Sequence, residues 1–261
     1  MIERASGARG AELHSIGAEP APGRVEPFVD DMVTRRLAGE PLQYVLGEWS
    51  FRRLELALDR RVLIPRPETE QVVQEAIDEL RRLAVAQPAV VDLGTGSGAI
   101  ALSLALEVPH AEVWATDVSS AALAVARSNL AGLGGMAATR VRMVEGSWFD
   151  ALPADLAGRV DLVISNPPYI AEHEMTGLEP SVVDWEPRSA LVAGSTGLED
   201  IAHIVATAPE WLRPGGVLVV ELDPSQTDAA IESARVAGFS LAEVRPDLAG
   251  RARTLVARLW R

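Results

Sequence analysis

Val90-Val91-Asp92-Leu93-Gly94-Thr95-Gly96-Ser97-Gly98-Ala99-Ile100 decides the fold. Val90–Leu93 is a short apolar run of the kind that makes a buried strand, and Ala99–Leu106 reads as a helix. Between them, Gly94, Gly96 and Gly98 let the backbone turn tightly and approach a ligand without a Cβ in the way. The helix that follows offers unpaired N–H groups at its start. Outward from this turn the same alternation recurs. Glu112–Thr116 is a second strand, followed by a helix over Ser119–Leu130, and Val141–Val144 and Leu162–Ser165 are strands three and four. A helix over Leu198–Leu212, strand five at Val217–Leu222 and a helix over Gln226–Ala237 follow. Leu241–Val244 and Thr254–Trp260 close the sheet with no helix between them, so they pair antiparallel. Repeated βα units with such short strands predict an α/β fold, a seven-stranded mostly parallel sheet with helices on both faces. Ligands of such sheets bind at the carboxyl ends of the strands, where strand order reverses.

Upstream the pattern is different. Residues 1–26 are rich in Ala, Gly and Pro without a sustained period and read as a mobile tail. Phe28, Met32, Val33 and Leu37 are spaced for a helix from Pro27 that Gly39 and Pro41 end. Trp49, Phe51, Leu54, Leu56 and Leu58 alternate as a hairpin, and Pro65-Arg66-Pro67 stiffens the exit into a helix carrying Val72, Val73, Ala76, Ile77, Leu80 and Leu83 on one face.

Composition narrows the chemistry. The 261 residues hold 24 Lys and Arg against 37 Asp and Glu, a net charge of −13, and 48% are hydrophobic, which excludes global disorder. Such acidity lacks the overall positive field that carries non-specific nucleic-acid binding, so a direct nucleic-acid partner is not expected. With no cysteine, disulfides, Cys-ligated zinc, iron–sulfur clusters and a thiol nucleophile are excluded. The four histidines are scattered and form no HExxH, so no metal is expected. No apolar run approaches the roughly 20 residues of a membrane span, and the N-terminus has no apolar signal core. A cytoplasmic enzyme is the expectation.

Two features carry the chemistry. Asp117 ends the second strand, where a carboxylate can accept both hydroxyls of an adenosine ribose. Gly94, Gly96 and Ala99 also satisfy the dinucleotide pattern, so the loop alone leaves an NAD-dependent oxidoreductase open. The second feature is Ser165-Asn166-Pro167-Pro168-Tyr169, directly after the fourth strand. In the expected sheet order strands one and four are neighbours, which puts Asn166 beside the glycine loop. An amide or aromatic amino nitrogen is a poor nucleophile because its lone pair is delocalised. The Asn166 side-chain carbonyl and the Pro167 backbone carbonyl make an acceptor pair that can grip its two hydrogens and favour the positive charge growing on it. Consecutive prolines keep that backbone rigid, and Tyr169 gives a flat face for a planar group or a sulfonium. Alignment at about 3–3.5 Å then suffices without a strong base.

These residues resemble the amino-methyltransferase branch of the class I S-adenosylmethionine enzymes, and more closely the release-factor glutamine methyltransferases, the PrmC/HemK family. The match is carried by Gly39-Glu40-Pro41-Leu42-Gln43-Tyr44-Val45-Leu46-Gly47, Leu63-Ile64-Pro65-Arg66-Pro67-Glu68-Thr69-Glu70, Asp92–Ile100 and Ile164–Ile170. Weaker matches are Gly146-Ser147-Trp148-Phe149, Glu186-Pro187-Arg188, Leu212–Gly216 and Asp247-Leu248-Ala249-Gly250-Arg251. The resemblance implies a Rossmann-like fold with S-adenosyl-L-methionine as cofactor. Gly94, Thr95, Gly96, Ser97 and Gly98 would cradle it, with Asp92 toward its methionine amino group, Asp117 on its ribose, Trp148 along its adenine and Asn166 at the mouth of the cofactor site. Asn166, Pro167, Pro168 and Tyr169 would take the glutamine of the Gly-Gly-Gln loop in class-1 peptide chain release factors, giving N5-methylglutamine. Methylation of an exocyclic amino group of rRNA or DNA is the alternative, since Asn-Pro-Pro-Tyr is shared with nucleic-acid enzymes. Arg66, Glu68 and Glu70 fit two roles equally: lining the site, or favourable charges at a helix start. The implied division is a tail over 1–26, a short helical and hairpin docking region over 27–65, and a catalytic domain over 66–261. Fewer residues precede Pro41 than in the family's helical N-terminal domain, and Glu221-Leu222-Asp223-Pro224 stands where the family more often has a glycine. The polar stretch Ala171–Ser195 is expected to be a long substrate-contacting loop.

Overall fold

The computed structural model describes residues 1–8, 10–16, 23 and 25–260. Four helices come first: α1 (Ile2–Ser6), α2 (Ala11–Ile16), α3 (Val25–Leu37) and α4 (Leu42–Leu46). The segment expected to be a tail thus contains two short helices, and Arg4 on α1 pairs with Glu48 at 2.9 Å. The last two residues of that segment, Val25 and Glu26, belong to α3, and its residues 9, 17–22 and 24 lie outside the described residues. Next come the hairpin β1 (Glu48–Phe51) and β2 (Leu54–Ala57) and the helix α5 (Pro67–Leu83), close to their expected bounds.

The alternating region follows as β3 (Ala89–Leu93), α6 (Ala99–Glu107), β4 (Glu112–Asp117), α7 (Ser120–Leu133), α8 (Gly135–Ala138), β5 (Val141–Glu145) and β6 (Val160–Ser165). After β7 (Ile170–Ala171), α9 (Pro180–Val183) and β8 (Val192–Gly194), it resumes with α10 (Glu199–Trp211), β9 (Leu212–Glu221), α11 (Thr227–Val236), β10 (Leu241–Pro246) and β11 (Ala252–Arg258). Seven strands form one sheet in the order β10-β11-β9-β6-β3-β4-β5, with β11 antiparallel to both its neighbours and the others parallel. Order reverses between β3 and β6, as expected for strands one and four.

Strand periodicity divides the core into two layers. Val90, Leu162, Ile164, Val217, Val219 and Val256 face α5, α6 and α7, together with Phe51, Leu54 and Leu56 of the hairpin. Val91, Leu93, Val163, Leu218, Val220 and Leu255 face α10 and α11. Every residue of β6 is buried, which is why its sequence reads as a run rather than an alternation. Residues 171–195 depart from the expected long loop. They hold two 3-10 turns, Glu172–Gly177 and Arg188–Ala190, and β8 returns to pair with β7 in parallel. The side chain of Glu186 pins this segment to the Ile64 N–H at 3.3 Å and to Arg66 at 2.6 Å. Strands of two or three residues leave no periodic trace in a sequence, so only these long-range contacts reveal the order.

Helix α5 packs across one face of the sheet, against β6 and β9. Val72, Val73, Ala76, Ile77 and Leu80 are buried, and the larger ones contribute about 2 kcal/mol each by leaving water. Surface pairs such as Arg81–Asp78 contribute only about 0.3 kcal/mol, so packing rather than charge places the helix. The exception is Glu79, which is buried yet receives Arg258, Arg82 and Arg245 and so ties α5 to β10 and β11. Burial pushes its carboxyl up, but the bonds from Arg258 and Arg82 outweigh this and leave it below the ordinary range. Its contribution is therefore present at neutral pH and fades on acidification through that lowered value. Glu79→Ala should cost about 2 kcal/mol of unfolding free energy, less than for a wholly buried pair because the arginines are partly solvated. Urea denaturation at neutral pH measures this, and a loss below about 0.5 kcal/mol would contradict the anchoring role.

Candidate active site

The glycine turn is built on β3 and held by its neighbours. Gly94 and Thr95 donate their N–H groups to the Thr116 carbonyl at 2.9 Å each, and Gly96 donates to Asp117 Oδ2 at 2.8 Å. The other oxygen of Asp117 accepts the Ser119 N–H at 2.8 Å, so its carboxylate is fixed at the end of β4 with lone pairs left for further donors. Burial raises its carboxyl despite those two bonds. Gly94 and Gly96 have φ +73° and +55°, where side chains are strained. A Cβ on Gly94 would lie 3.2 Å from the Trp148 ring, whereas one on Gly96 would meet open space. Asp92 lies beneath the turn, wholly buried: Oδ2 accepts Thr95 Oγ1 at 2.6 Å and the Ala101 N–H at 3.1 Å, and Oδ1 has no partner among the described residues. Burial, only partly offset by those bonds, pushes its carboxyl up to about 7.

Two cavities meet in front of this turn. The smaller, about 250 Å³, is lined by Gly94, Gly96, Asp117, Trp148, Asn166 and Pro168. Thr95, Ser97, Gly98 and Asp92 do not line it and instead support the turn from behind. The larger, about 710 Å³, is lined by Asn166, Pro167, Tyr169, Arg66, His173 and Arg253, among others. Asn166 lines both, and the expected segment is divided between them: Pro168 on the smaller side, Pro167 and Tyr169 on the larger. The register of β3 on β6 produces this, since Leu93 pairs with Ser165 and the Ser165 hydroxyl donates to the Leu93 carbonyl at 2.7 Å.

The backbone after Tyr169 is also clamped. Gln226 Nε2 donates to the Tyr169 carbonyl at 2.9 Å and to the Gly197 carbonyl at 2.8 Å. A Cβ on Gly197 would sit 2.6 Å from the Tyr169 carbonyl, so close approach requires glycine there. Burial pushes the Tyr169 phenol up to about 12, which keeps it neutral. Of the residues with two readings, Arg66 lines the larger cavity and pairs with Glu186, while Glu68 pairs with Arg251 at 2.7 Å and Glu70 accepts the Arg52 N–H at 3.2 Å. The two acids serve as ties between elements.

Sequence reasoning overlooked several participants. Asn129 on α7 donates to the Ser97 carbonyl at 2.9 Å while exchanging bonds with both backbone groups of Ala57, coupling the hairpin to the turn. Arg61, Ser147 and Asp200 line the smaller cavity. Thr69 accepts the Asn166 Nδ2 amide at 3.2 Å and donates to Glu221 at 2.7 Å. Thr69 and Ser147 lie inside motifs and Glu221 in a departure from the expected pattern, but the motifs do not show these contacts; Asn129, Arg61 and Asp200 belong to no motif and are brought in from distant elements. Among the described residues no group of three or more acidic or His side chains could hold a metal, and no helix is long and apolar enough to cross a membrane.

Comparison with known proteins places this arrangement. A family model described as the methyltransferase small domain matches residues 75–181. The release factor glutamine methyltransferase of Bordetella pertussis is 44% identical over 250 residues, 96% of this chain and 89% of its own. That of Deinococcus radiodurans is 42% identical over 258 residues, 99% of this chain and 88% of its own. Among solved structures, a methyltransferase from Pyrococcus furiosus superposes with a TM-score of 0.57 at 18% identity, over 89% of this chain and 100% of its own, a likeness of fold.

The buried Asp92 gives a pH-dependent stability. A carboxyl raised in the folded state keeps its proton there while the unfolded one ionises, so its effect is least costly in acid and grows as pH rises toward about 7. Asp92→Asn cannot ionise and should remove about 2 kcal/mol of the stability lost between about pH 5 and about pH 8. Denaturant titrations of variant and parent at both pH values isolate this from the parallel effect of Glu221. Equal slopes would show that Asp92 is not held protonated.

Proposed function

The chain belongs to the release factor glutamine methyltransferase family, and from that premise we propose how its residues divide the work. Its activity is S-adenosylmethionine-dependent methylation of a release-factor glutamine at N5. The dinucleotide reading of the glycine turn falls with that membership. In this proposal the smaller cavity takes the cofactor, and the larger takes the Gly-Gly-Gln loop of a class-1 release factor. The observation that carries it is that Asn166 lines both cavities, so a group held there stands at their junction.

The smaller cavity fits the cofactor's chemistry. Gly96 leaves open the space a Cβ would fill, Asp117 keeps lone pairs for hydroxyl donors, and the Trp148 ring offers an aromatic wall beside Gly94. Asp117 and Asp200, set against the single cation Arg61, leave the lining with an excess of acid suited to a cation. When bound, S-adenosylmethionine supplies an electrophilic methyl group on its sulfonium. Asn166 Oδ1 and the Pro167 carbonyl then accept the two hydrogens of the substrate amide, turning the nitrogen's lone pair toward the cofactor side and favouring the charge that develops on it. Pro168, with Pro167, keeps these acceptors from moving, and Tyr169 closes the apolar side. Gly98, Thr95 and Ser97 hold the shape of the turn, and Asp92 braces it. Residues 27–65 form the docking region and 66–261 the catalytic domain.

Incubation with labelled S-adenosylmethionine, a class-1 release factor, its Gly-Gly-Ala variant and bulk RNA tests the reading. Label is expected on the glutamine protein alone; label on RNA, or equal label on both release factors, would overturn it. Asn166→Ala should retain cofactor affinity by calorimetry and lose about 100-fold or more in turnover. Gly96→Val, which fills the open space of the turn, should abolish cofactor binding.

A further inference from the structure

Asn166 alone does not determine which end of its amide faces the reacting group. The oxygen and nitrogen ends are nearly the same shape, so a half-turn of the side chain is decided by hydrogen bonds rather than by packing. Only the orientation with Oδ1 outward can accept a substrate N–H; the reverse would oppose donor to donor.

Three elements meet on this choice. Ser165 of β6 pairs with Val220 of β9, so Asn166 and Glu221 are the next residues in register at the sheet's end. Two residues earlier, Ile164 and Val219 face the layer containing α5, and period-two alternation turns Asn166 and Glu221 to that same side. Thr69, in the first turn of α5, is buried over them. Its hydroxyl has one proton, given to Glu221 Oε2 at 2.7 Å, which leaves a lone pair for Asn166 Nδ2 at 3.2 Å. We propose that Thr69 and Glu221 are positioning residues that hold the Asn166 amide with Oδ1 toward the substrate. This rests on the role given to Asn166 above.

The chain of bonds has a direction only while Glu221 is ionised. A carboxylate accepts and never donates, so the Thr69 proton must point to it. A protonated Glu221 can donate instead, freeing the Thr69 proton to turn toward Asn166 and favour the reversed amide. Arg253 on β11, Arg66 at the start of α5, Glu68 and Thr69 on α5, and the Tyr169 phenol in the segment after β6 face this carboxyl. Burial raises it to about 7, while the Thr69 bond and Arg253 hold it from rising further. Turnover is therefore expected to fall on the acid side of that value.

Steady-state kinetics of the full chain with S-adenosylmethionine and a class-1 release factor, from pH 5.5 to pH 8.5, test this. Thr69→Val should lose about 100-fold in kcat, with the KM for S-adenosylmethionine within about twofold. Thr69→Ser restores the hydroxyl and should recover most of that loss. Glu221→Gln accepts the Thr69 proton but cannot titrate, so the acid limb of the parent profile should level out. Turnover of Thr69→Val close to the parent's, or equal impairment of the valine and serine variants, would overturn the proposal. A second readout does not need turnover: the side-chain NH₂ pair of Asn166 in 15N–1H spectra, identified by its loss in Asn166→Ala. It should titrate with pH in the parent and not in Thr69→Val; a pH-independent pair in the parent would refute the coupling. If the parent fails to methylate the release factor, the proposed function fails, while these spectra still decide the orientation.

Discussion

The parallel pairing of β3 with β6 is the constraint on which the rest of the molecule depends. Because Leu93 lies opposite Ser165, the glycine turn and the Asn166 segment leave the sheet side by side, on the same end. The strand order forces this, since the sheet is extended outward from these two strands in opposite directions. A one-residue slip would turn Asn166 to the α10 face and separate it from Thr69. Fully buried apolar residues on both sides of β6 make such a slip prohibitively costly.

Around that pairing the protein keeps polar groups that a purely stabilising design would avoid. Asp92, Thr69 and Glu221 are all nearly inaccessible, and two of the three carry carboxyls raised to about 7. Their placement follows one logic: each sits one layer behind a cavity wall and fixes something in front of it. Asp92 holds the turn through Thr95 and Ala101, and Glu221 orients Thr69. The destabilisation is offset by the two apolar layers and by the Glu79 cluster, which joins α5 to the far strands. Helix α5 thus links the edge of the sheet to the centre of the site: Glu79 near its end is anchored, and Thr69 at its start reaches Asn166.

Much of this was legible from local pattern. The seven strands, the hairpin and the long helices appear near their expected positions because each has a periodic apolar face or a run long enough to detect. The segment 171–195 was not, because β7 and β8 are too short to leave a period and are ordered by Glu186, a single acid packed against Ile64 and Arg66. The glycine turn was recognisable as a group, yet the residues that line the cavity and those that support it from behind were not separable. That distinction depends on which backbone groups face the space, and Gly96 and Gly98 differ there although both have positive φ.

By itself, the sequence determined the layered α/β sheet, the glycine turn, the place of Asn166 next to it, and through its motifs the family. All of these are written in contiguous residues, where spacing and chemistry stand together on one short stretch of chain. Tertiary structure alone decided the division of the Asn-Pro-Pro-Tyr segment between two cavities, the link from Asn129 to the hairpin, and the Thr69–Glu221 support of Asn166. Thr69 and Glu221 are 152 positions apart, and Thr69 and Asn166 are 97 apart. No local period relates such residues; they meet only because parallel strands and a helix packed across them bring three chain segments to one end of the sheet.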